Sequence, residues 1–228
     1  MVYSSVWVVI PAYNEAQILK DVLGELLDYN PSYQLVVVDD GSSDDTAAVA
    51  GSFPVHVLVH TINLGQGAAL ATGIEYALSQ NAGVIVTFDA DGQMRPQDIP
   101  ALLTEVTENG FDVALGSRFL TAKPTGLTKA KKLVLMLATI FTRITTGLKI
   151  TDTHNGIRAF KAEAIAQIKI TQNKMAHASE ILSEIAKNKL AYKEVPVTIR
   201  YTDYSKTKGQ SLSNAFNVLF ELFMGEKK

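Results

Sequence analysis

Val6-Trp7-Val8-Val9-Ile10 is an unbroken apolar run close to the amino terminus, and such a run is typical of a strand that is buried on both faces of a sheet. Three similar runs follow at residues 35–38, 55–60 and 84–88, with helix-length amphipathic segments between them. Strands that alternate with helices predict a parallel sheet covered on both faces and joined by right-handed crossovers. The sequence therefore predicts an α/β fold that binds its ligands at the carboxyl ends of the strands.

The rest of the chain continues this pattern of short strands and longer helices. Two more strands are predicted at residues 112–116 and 192–198, and helices are predicted at residues 15–29, 44–50, 67–80, 101–109, 133–148 and 176–189. The Gly/Pro/Lys-rich stretch 121–132 and the polar stretch 202–210 are predicted to be loops. Without an internal repeat or a linker, residues 1–210 are expected to form one domain, followed by an amphipathic helix at 211–228.

Composition limits the partners and the location of the protein. The chain has 228 residues, a net charge of −2 at pH 7 and no cysteine, which excludes disulfides, zinc-thiolate sites and thiol nucleophiles. A charge so close to zero gives no basis for nucleic acid as a partner. Because neither a secretory signal nor an apolar run of about 18 residues is present, we expect a cytoplasmic protein that is soluble or lies on a membrane.

The predicted fourth strand ends in the acidic segment Asp89-Ala90-Asp91-Gly92-Gln93. In extended geometry this spacing directs the side chains of Asp89, Asp91 and Gln93 to the same side. Two carboxylates and an amide oxygen form a hard oxygen site, which suits Mg²⁺ or Mn²⁺ bridging a diphosphate, and Gly92 lets phosphates approach closely. The alternative is a solvated turn, because Asp and Gly are common turn formers.

Two other predicted strands end in acidic segments at the same edge of the sheet. Pro11-Ala12-Tyr13-Asn14-Glu15 follows the first strand and offers an aromatic ring for a nucleobase and a carboxylate for ribose or base. Asp39-Asp40-Gly41-Ser42 follows the second, at a place where an acidic residue commonly holds a ribose. Both segments would also serve as helix starts, with Asn14 or Asp40 as the cap. Gly65-Gln66-Gly67 lacks the spacing and the position of a dinucleotide fingerprint.

Five segments occur in order along the chain: VIPAYNE (9–15), VVVDDGSS (36–43), NLG (63–65), FDADGQ (88–93) and GSR (116–118). Together they resemble the motifs of glycosyltransferase family 2, whose members are inverting enzymes with the GT-A fold. The resemblance covers about residues 5–210 and implies a Rossmann-like, mostly parallel sheet with helices on both faces. With EVP (194–196) and SKTKG (205–209), the chain is most similar to dolichyl-phosphate mannose synthases and bacterial polyprenyl-phosphate glycosyltransferases.

The resemblance also implies roles for individual residues. Those that would hold the nucleoside are Pro11, Tyr13, Glu15, Val38 and Asp40. Those that would hold the metal and the diphosphate are Asp89, Asp91 and Gln93, with Ala90 between them. The basic residues near the diphosphate and the transferred sugar are Arg118, Arg200 and Lys206. Lys131 lies near a position where the synthases carry an arginine for the acceptor phosphate, but a lysine cannot make the bidentate contact.

The acceptor follows from the chemistry of inverting transfer. A sugar hydroxyl needs a carboxylate base, whereas a phosphate monoester, with a second pKa of about 6, is already a nucleophile at neutral pH. Asp152 could act as such a base, but residues 150–158 are more similar to the Asp-x-x-Ser-Gly stretch of the polyprenyl-phosphate enzymes, from which His154 and Asn155 depart. His154 is predicted to contact the metal or the acceptor phosphate, and the alternative is a structural histidine.

A polyprenyl-phosphate acceptor requires contact with a membrane. The apolar segment 133–148 follows three lysines, and large apolar residues crowd 211–224, so both segments suit helices that lie on a lipid surface. Packing in the core or in a homo-oligomer is the alternative. We therefore expect a peripheral protein on the cytoplasmic face of the cell membrane, bound there directly or through a small membrane-protein partner.

The sequence thus predicts a metal-dependent enzyme that moves a sugar from a UDP- or GDP-sugar to a polyprenyl phosphate in cell-envelope polysaccharide synthesis. Two alternatives stay open, namely a transferase that extends a saccharide with Asp152 as base, and a non-catalytic nucleotide-binding module. A nucleotidyltransferase is disfavoured, because it would carry a Gly-rich phosphate loop after the first strand, and residues 11–15 contain no glycine.

Overall fold

The computed structural model describes residues 5–120 and 129–200, and gives only the backbone for 129–132. In these residues one sheet contains the strands β1 (Val6–Ala12), β2 (Gln34–Asp39), β3 (His56–Val59), β4 (Val84–Thr87), β5 (Val113–Ser117), β6 (Arg158–Lys161) and β7 (Tyr192–Pro196). The helices are α1 (Ala16–Tyr29), α2 (Thr46–Gly51), α3 (Gln66–Ser79), α4 (Ile99–Thr107), α5 (Lys129–Thr146), α6 (Ala162–Ile165) and α7 (His177–Lys187).

The strands lie in the order β3-β2-β1-β4-β6-β5-β7. β1 is parallel to β2 and β4, β2 is parallel to β3, and β5 is parallel to β7. Helices cover both faces, so the predicted α/β architecture with a mostly parallel sheet is confirmed. β6 runs antiparallel to both of its neighbours, β4 and β5.

The two faces of the sheet bury separate apolar clusters. Val8 and Ile10 of β1 pack with leucines of α1 and α4 on one face, while Trp7 and Val9 pack with residues of α3 and α7 on the other. Successive side chains of a strand point to opposite faces. Burial on both faces is therefore the reason why this strand is apolar at every position.

The sequence pattern missed β6 and the short helix α6. β6 starts at Arg158, which is only 4% exposed, and a charged residue hides the apolar pattern of a buried strand. The predicted loop 121–132 is wrong in its last part, because α5 begins at Lys129, where lysine and alanine favour helix. The remaining predicted loops and the C-terminal helix, residues 121–128 and 202–228, lie outside the described residues.

Across residues 5–120 and 129–200, every helix is too short or too polar to span a bilayer.

Candidate active site

The loops that follow β1 and β2 are joined by hydrogen bonds at the carboxyl edge of the sheet. The backbone N–H of Asn14 donates to Ser42 Oγ at 2.9 Å, and the Asn14 side-chain oxygen accepts from the N–H of Ser43 at 2.9 Å. Glu15 is buried beside them, and its N–H donates to Thr46 Oγ1 at 2.9 Å. The structure thus brings the acidic ends of the first two strands together, as the sequence predicts.

The acidic segment after β4 is a turn. β4 ends at Thr87, so the extended geometry assumed from the spacing of Asp89 and Asp91 is wrong. The turn needs a glycine at position 92, where φ is +73°, because other residues rarely adopt this backbone conformation. Asp91 closes the turn by accepting hydrogen bonds from the backbone N–H of Gln93 at 3.0 Å and from its Nε2 at 2.7 Å.

The turn nevertheless places the two carboxylates close together. Burial, and next the charge of Asp91, raise the pKa of Asp89 to about 7, although Arg158 and Arg118 oppose this rise. Burial and the neighbouring Asp91 carboxylate therefore disfavour the charged form of Asp89, and a bound cation would favour it.

The donor set fits a divalent cation that also binds substrate oxygens. Among the described residues, no three His, Cys, Asp or Glu side chains gather into a metal site. An ion at this turn would therefore bind the carboxylates of Asp89 and Asp91, with Gln93 beside them. Mg²⁺ is commonly held in this way, by one or two carboxylates together with phosphate oxygens and water.

Two residues from distant parts of the chain contact the Asp89 carboxylate. Gln66 at the start of α3 donates from Nε2 to Asp89 Oδ1 at 2.9 Å. Gly156 lies against the other oxygen, since a Cβ atom at this position would stand 2.3 Å from Oδ2. Thr87 Oγ1 fixes Gly156 by donating to its carbonyl oxygen at 2.5 Å. Sequence reasoning missed Gln66 and Gly156, because nothing in the pattern relates them to Asp89.

Asp152 forms a buried ion pair with Arg118. Its Oδ2 accepts hydrogen bonds from Arg118 Nε at 2.6 Å and from the Arg118 backbone N–H at 3.1 Å. Arg118 Nη2 also donates to the carbonyl oxygen of His154 at 3.0 Å. Asp152 is only 4% exposed. Its position therefore favours a structural role, in which it holds Arg118, over the role of a base in contact with an acceptor hydroxyl.

His154 is neutral at physiological pH in this environment. Burial lowers its pKa to about 4, although Asp152 opposes this change. Its buried Nδ1 has no hydrogen-bond partner among the described residues. The predicted contact of His154 with the metal or the acceptor phosphate stays a prediction.

Arg158 is a third residue that sequence reasoning missed. It is buried, and its guanidinium donates to the carbonyl oxygens of Asn155 and Thr153 at 3.1 Å and of Ala178 at 3.3 Å. Burial lowers its pKa to about 10, so the group stays charged at neutral pH. It therefore supports the segment that carries Gly156 and supplies a cation near Asp89 and Asp152. A lone arginine within an apolar stretch was the signal available in the sequence.

The residues that are predicted to hold the nucleoside differ in their exposure to solvent. The Tyr13 ring is 44% exposed at the edge of the site, whereas the side chains of Pro11 and Val38 are buried. Asp40 is also buried, and it accepts hydrogen bonds from the backbone N–H groups of Leu64 at 2.9 Å and Gly65 at 2.7 Å. Its Oδ1 also contacts His60 Nδ1 at 2.7 Å. Asp40 thus anchors the loop before α3, and its contact with a nucleoside stays a prediction.

The predicted basic residues are not all brought to the turn. The Arg200 backbone N–H donates to the carbonyl oxygen of Gln93 at 2.8 Å, but its guanidinium makes a bidentate ion pair with Glu25 at 2.8 and 2.9 Å. A contact of Arg200 with a diphosphate would therefore require this ion pair to open. Lys206 and the side chain of Lys131 lie outside the described residues.

Comparison with known proteins gives consistent matches over most of the chain. The family model described as glycosyl transferase family 2 matches residues 7–169. The UDP-N-acetylglucosamine–dolichyl-phosphate N-acetylglucosaminyltransferase of Methanococcus voltae is 30% identical over 239 residues, which covers 96% of this chain and 95% of the relative. The polyprenol monophosphomannose synthase of Mycolicibacterium smegmatis is 31% identical over 220 residues, with 91% and 83% covered.

The fold is also found among solved structures. Glucosyl-3-phosphoglycerate synthase from Mycobacterium tuberculosis, in complex with Mn²⁺, uridine diphosphate and glucosyl-3-phosphoglycerate, superimposes with a TM-score of 0.69 at 17% identity. The match covers 96% of this chain and 80% of that one.

Proposed function

Because the chain belongs to glycosyltransferase family 2 and is a glycosyltransferase, we propose that it transfers a sugar from a UDP- or GDP-sugar to a polyprenyl phosphate, with inversion at the anomeric carbon. Its sheet and flanking helices confirm the GT-A fold expected of this family. The observation that carries the proposal is the close pair of carboxylates, Asp89 and Asp91, at the carboxyl edge of the sheet.

The donor site is proposed to lie along that edge, from Tyr13 to the Asp89 turn. Tyr13 offers an exposed ring for the base, and Glu15 offers a carboxylate. Asp89, Asp91 and Gln93 would hold Mg²⁺ or Mn²⁺, which would stabilise the negative charge of the leaving nucleoside diphosphate. Arg118 lies close enough to Asp89 to oppose the rise of its pKa, so its charge can also act on a diphosphate at this turn.

The state of Asp152 supports a phosphate acceptor over a saccharide. A hydroxyl acceptor needs a carboxylate that can reach it and take its proton, but Asp152 is buried and bonded to Arg118. A phosphate monoester is a competent nucleophile without a base. The names of the two relatives, which refer to dolichyl phosphate and to polyprenol, support the same choice.

The surface of α5 supports a peripheral location at a membrane. Its buried face, packed near α7, contains small and polar residues, namely Ala138, Thr139 and Thr142. Beside Arg143 and Thr145, its exposed residues are large and apolar, namely Leu133, Met136, Leu137, Ile140 and Ile144. A helix whose larger apolar residues face outwards, with lysines in its first turn, fits the interface of an anionic bilayer. We propose the cytoplasmic face of the cell membrane as its location.

The proposed reaction is tested by the release of nucleoside diphosphate from a panel of UDP- and GDP-sugars. We expect release only when Mg²⁺ or Mn²⁺ and a polyprenyl phosphate are both present, and we expect EDTA to abolish it. The product should be a glycosylated lipid phosphate, identified by mass spectrometry. Release that depends on a soluble saccharide, with no response to the lipid, would instead favour the transferase that extends a saccharide.

Membrane binding through α5 is tested by replacing Ile144, which is 78% exposed, with serine. We expect binding to vesicles of phosphatidylglycerol and phosphatidylcholine to weaken at least about tenfold, because burying such a side chain contributes about 1.5–3 kcal/mol. Cosedimentation with the vesicles measures this. Ile62→Ser is the matched control, because Ile62 is 65% exposed but lies outside α5. Equal loss in both variants, or no loss in Ile144→Ser, would contradict the location proposed for α5.

A further inference from the structure

Gln66, the first residue of α3, is a direct neighbour of the Asp89 turn. Its Nε2 donates a hydrogen bond to Asp89 Oδ1 at 2.9 Å. We propose that Gln66 is a positioning residue that holds the Asp89 carboxylate in the orientation required to bind the cation of a nucleoside diphosphate. This inference rests on the proposed function and extends it to Gln66, a residue to which the sequence motifs give no role.

The Asp89 carboxylate is restrained at both oxygens. Gln66 holds Oδ1, and the backbone at Gly156 lies directly against Oδ2, where a Cβ atom would come within 2.3 Å. Rotation of the carboxylate would break the hydrogen bond from Gln66, and the Gly156 backbone leaves little space beside Oδ2. The orientation is therefore set before a ligand arrives, and a fixed geometry of this kind is what a metal or catalytic site requires.

The backbone around Gln66 is itself held in place, which fixes the point from which its side chain reaches Asp89. The N–H of Gly65 donates to Asp40 Oδ2 at 2.7 Å, and the N–H of Gly67 donates to the carbonyl oxygen of Asn173 at 2.8 Å. Both glycines are required by this packing. A Cβ at position 65 would stand 2.2 Å from the Asn173 carbonyl oxygen, and one at position 67 would stand 2.0 Å from that of Gln172.

The segment that packs on these glycines is held in place by α7. The Glu180 carboxylate accepts hydrogen bonds from the backbone N–H groups of Thr171 and Gln172, both at 2.9 Å. His177 Nδ1 contacts the carbonyl oxygen of Lys174 at 2.7 Å. A continuous set of contacts therefore runs from α7 through this segment to the start of α3 and on to Asp89. The Gly65-Gln66-Gly67 motif thus acquires a role that its spacing alone did not indicate.

The chemistry of an amide suits this position. The N–H of Gln66 stabilises an ionised carboxylate without adding a positive charge, whereas a lysine would form an ion pair with Asp89 and compete with a metal ion. A neutral donor therefore orients the Asp89 carboxylate without a positive charge that would compete with a bound cation.

The test is the affinity of the purified protein for Mn²⁺ in the presence of UDP or GDP, measured by electron paramagnetic resonance. Gln66→Met keeps the length of the side chain and removes the donor, and Gln66→Lys introduces a competing cation. We expect Gln66→Met to weaken Mn²⁺ binding about tenfold, as for the loss of one hydrogen bond to a charged group, and Gln66→Lys to weaken it further. Gln80→Met is the matched control, because Gln80 is exposed just after the other end of α3.

The outcomes separate a positioning role from a structural one. Unchanged Mn²⁺ affinity in both Gln66 variants would overturn the proposal, whether their Tm is lower than that of the wild type or equal to it. Loss of affinity in Gln66→Met and Gln66→Lys, with Gln80→Met unchanged, would support it. If the wild-type protein itself binds no Mn²⁺ with either nucleotide, the proposed function fails first and this inference fails with it.

Discussion

Asp91→Asn is expected to reduce turnover at least about a thousandfold, because a divalent ion stabilises the transition state by several kcal/mol. A loss of about 4 kcal/mol of this stabilisation lowers the rate about a thousandfold. The substitution removes one of the two carboxylates that would hold the ion. It keeps an oxygen that can accept from the backbone N–H of Gln93, so the turn should keep its shape. Steady-state rates measured across a Mn²⁺ titration would show the loss.

The matched control for this variant is Asp28→Asn on the exposed side of α1. It removes the same charge from the protein without touching the turn, and we expect its turnover to equal that of the wild type. A turnover of Asp91→Asn within about tenfold of the wild type would contradict the metal role of this residue. A tenfold change corresponds to about 1.4 kcal/mol in the activation free energy.

Gly156→Ala is the second large effect that we expect. The added methyl group would stand 2.3 Å from Asp89 Oδ2 and 2.8 Å from the end of the Met94 side chain. Met94 can move away, but the Asp89 carboxylate is held by Gln66 on its other side. The carboxylate must therefore tilt, and a misplacement of about 1 Å at a catalytic site costs about a hundredfold in rate. We expect kcat/KM to fall by about that factor.

Gly24→Ala is the matched control for Gly156→Ala, because it makes the same substitution away from the site. Gly24 lies within α1, and a Cβ there meets nothing within 4 Å, so the substitution should leave the rate unchanged and slightly stabilise the helix. Thermal melts should show that Gly156→Ala is still folded at the assay temperature. Full activity in Gly156→Ala would mean that Asp89 can shift freely, and would contradict the restraint described above.

The strands at the centre of the sheet could be predicted because burial on both faces produces a simple pattern in the sequence. β1, β2 and β4 are buried on both faces, so each one is a continuous apolar run. β6 is equally buried for most of its length, but it begins with Arg158. The guanidinium is satisfied by carbonyl oxygens from two segments, and such a tertiary arrangement leaves no periodic signal in the sequence.

The candidate site was predictable in its residue types and less so in its geometry. The acidic strand ends could be placed at one edge, because parallel strands deliver their carboxyl ends there. The pairings themselves join residues that are far apart in sequence, such as Gln66 with Asp89 and Arg118 with Asp152. Local spacing also misjudged Asp89 and Asp91, because the strand ends at Thr87 and the chain turns before the second carboxylate.

The antiparallel strand β6 has a consequence for how the protein is made. β4 pairs on one side with β1, but its other edge is filled by β6, with Thr87 opposite Arg158. During synthesis, the amino-terminal half therefore emerges from the ribosome with an open, strongly apolar edge, long before its partner strand is translated. Exposed edges of this kind favour association between chains. Completion of the sheet beside β4 thus depends on residues from the second half of the chain.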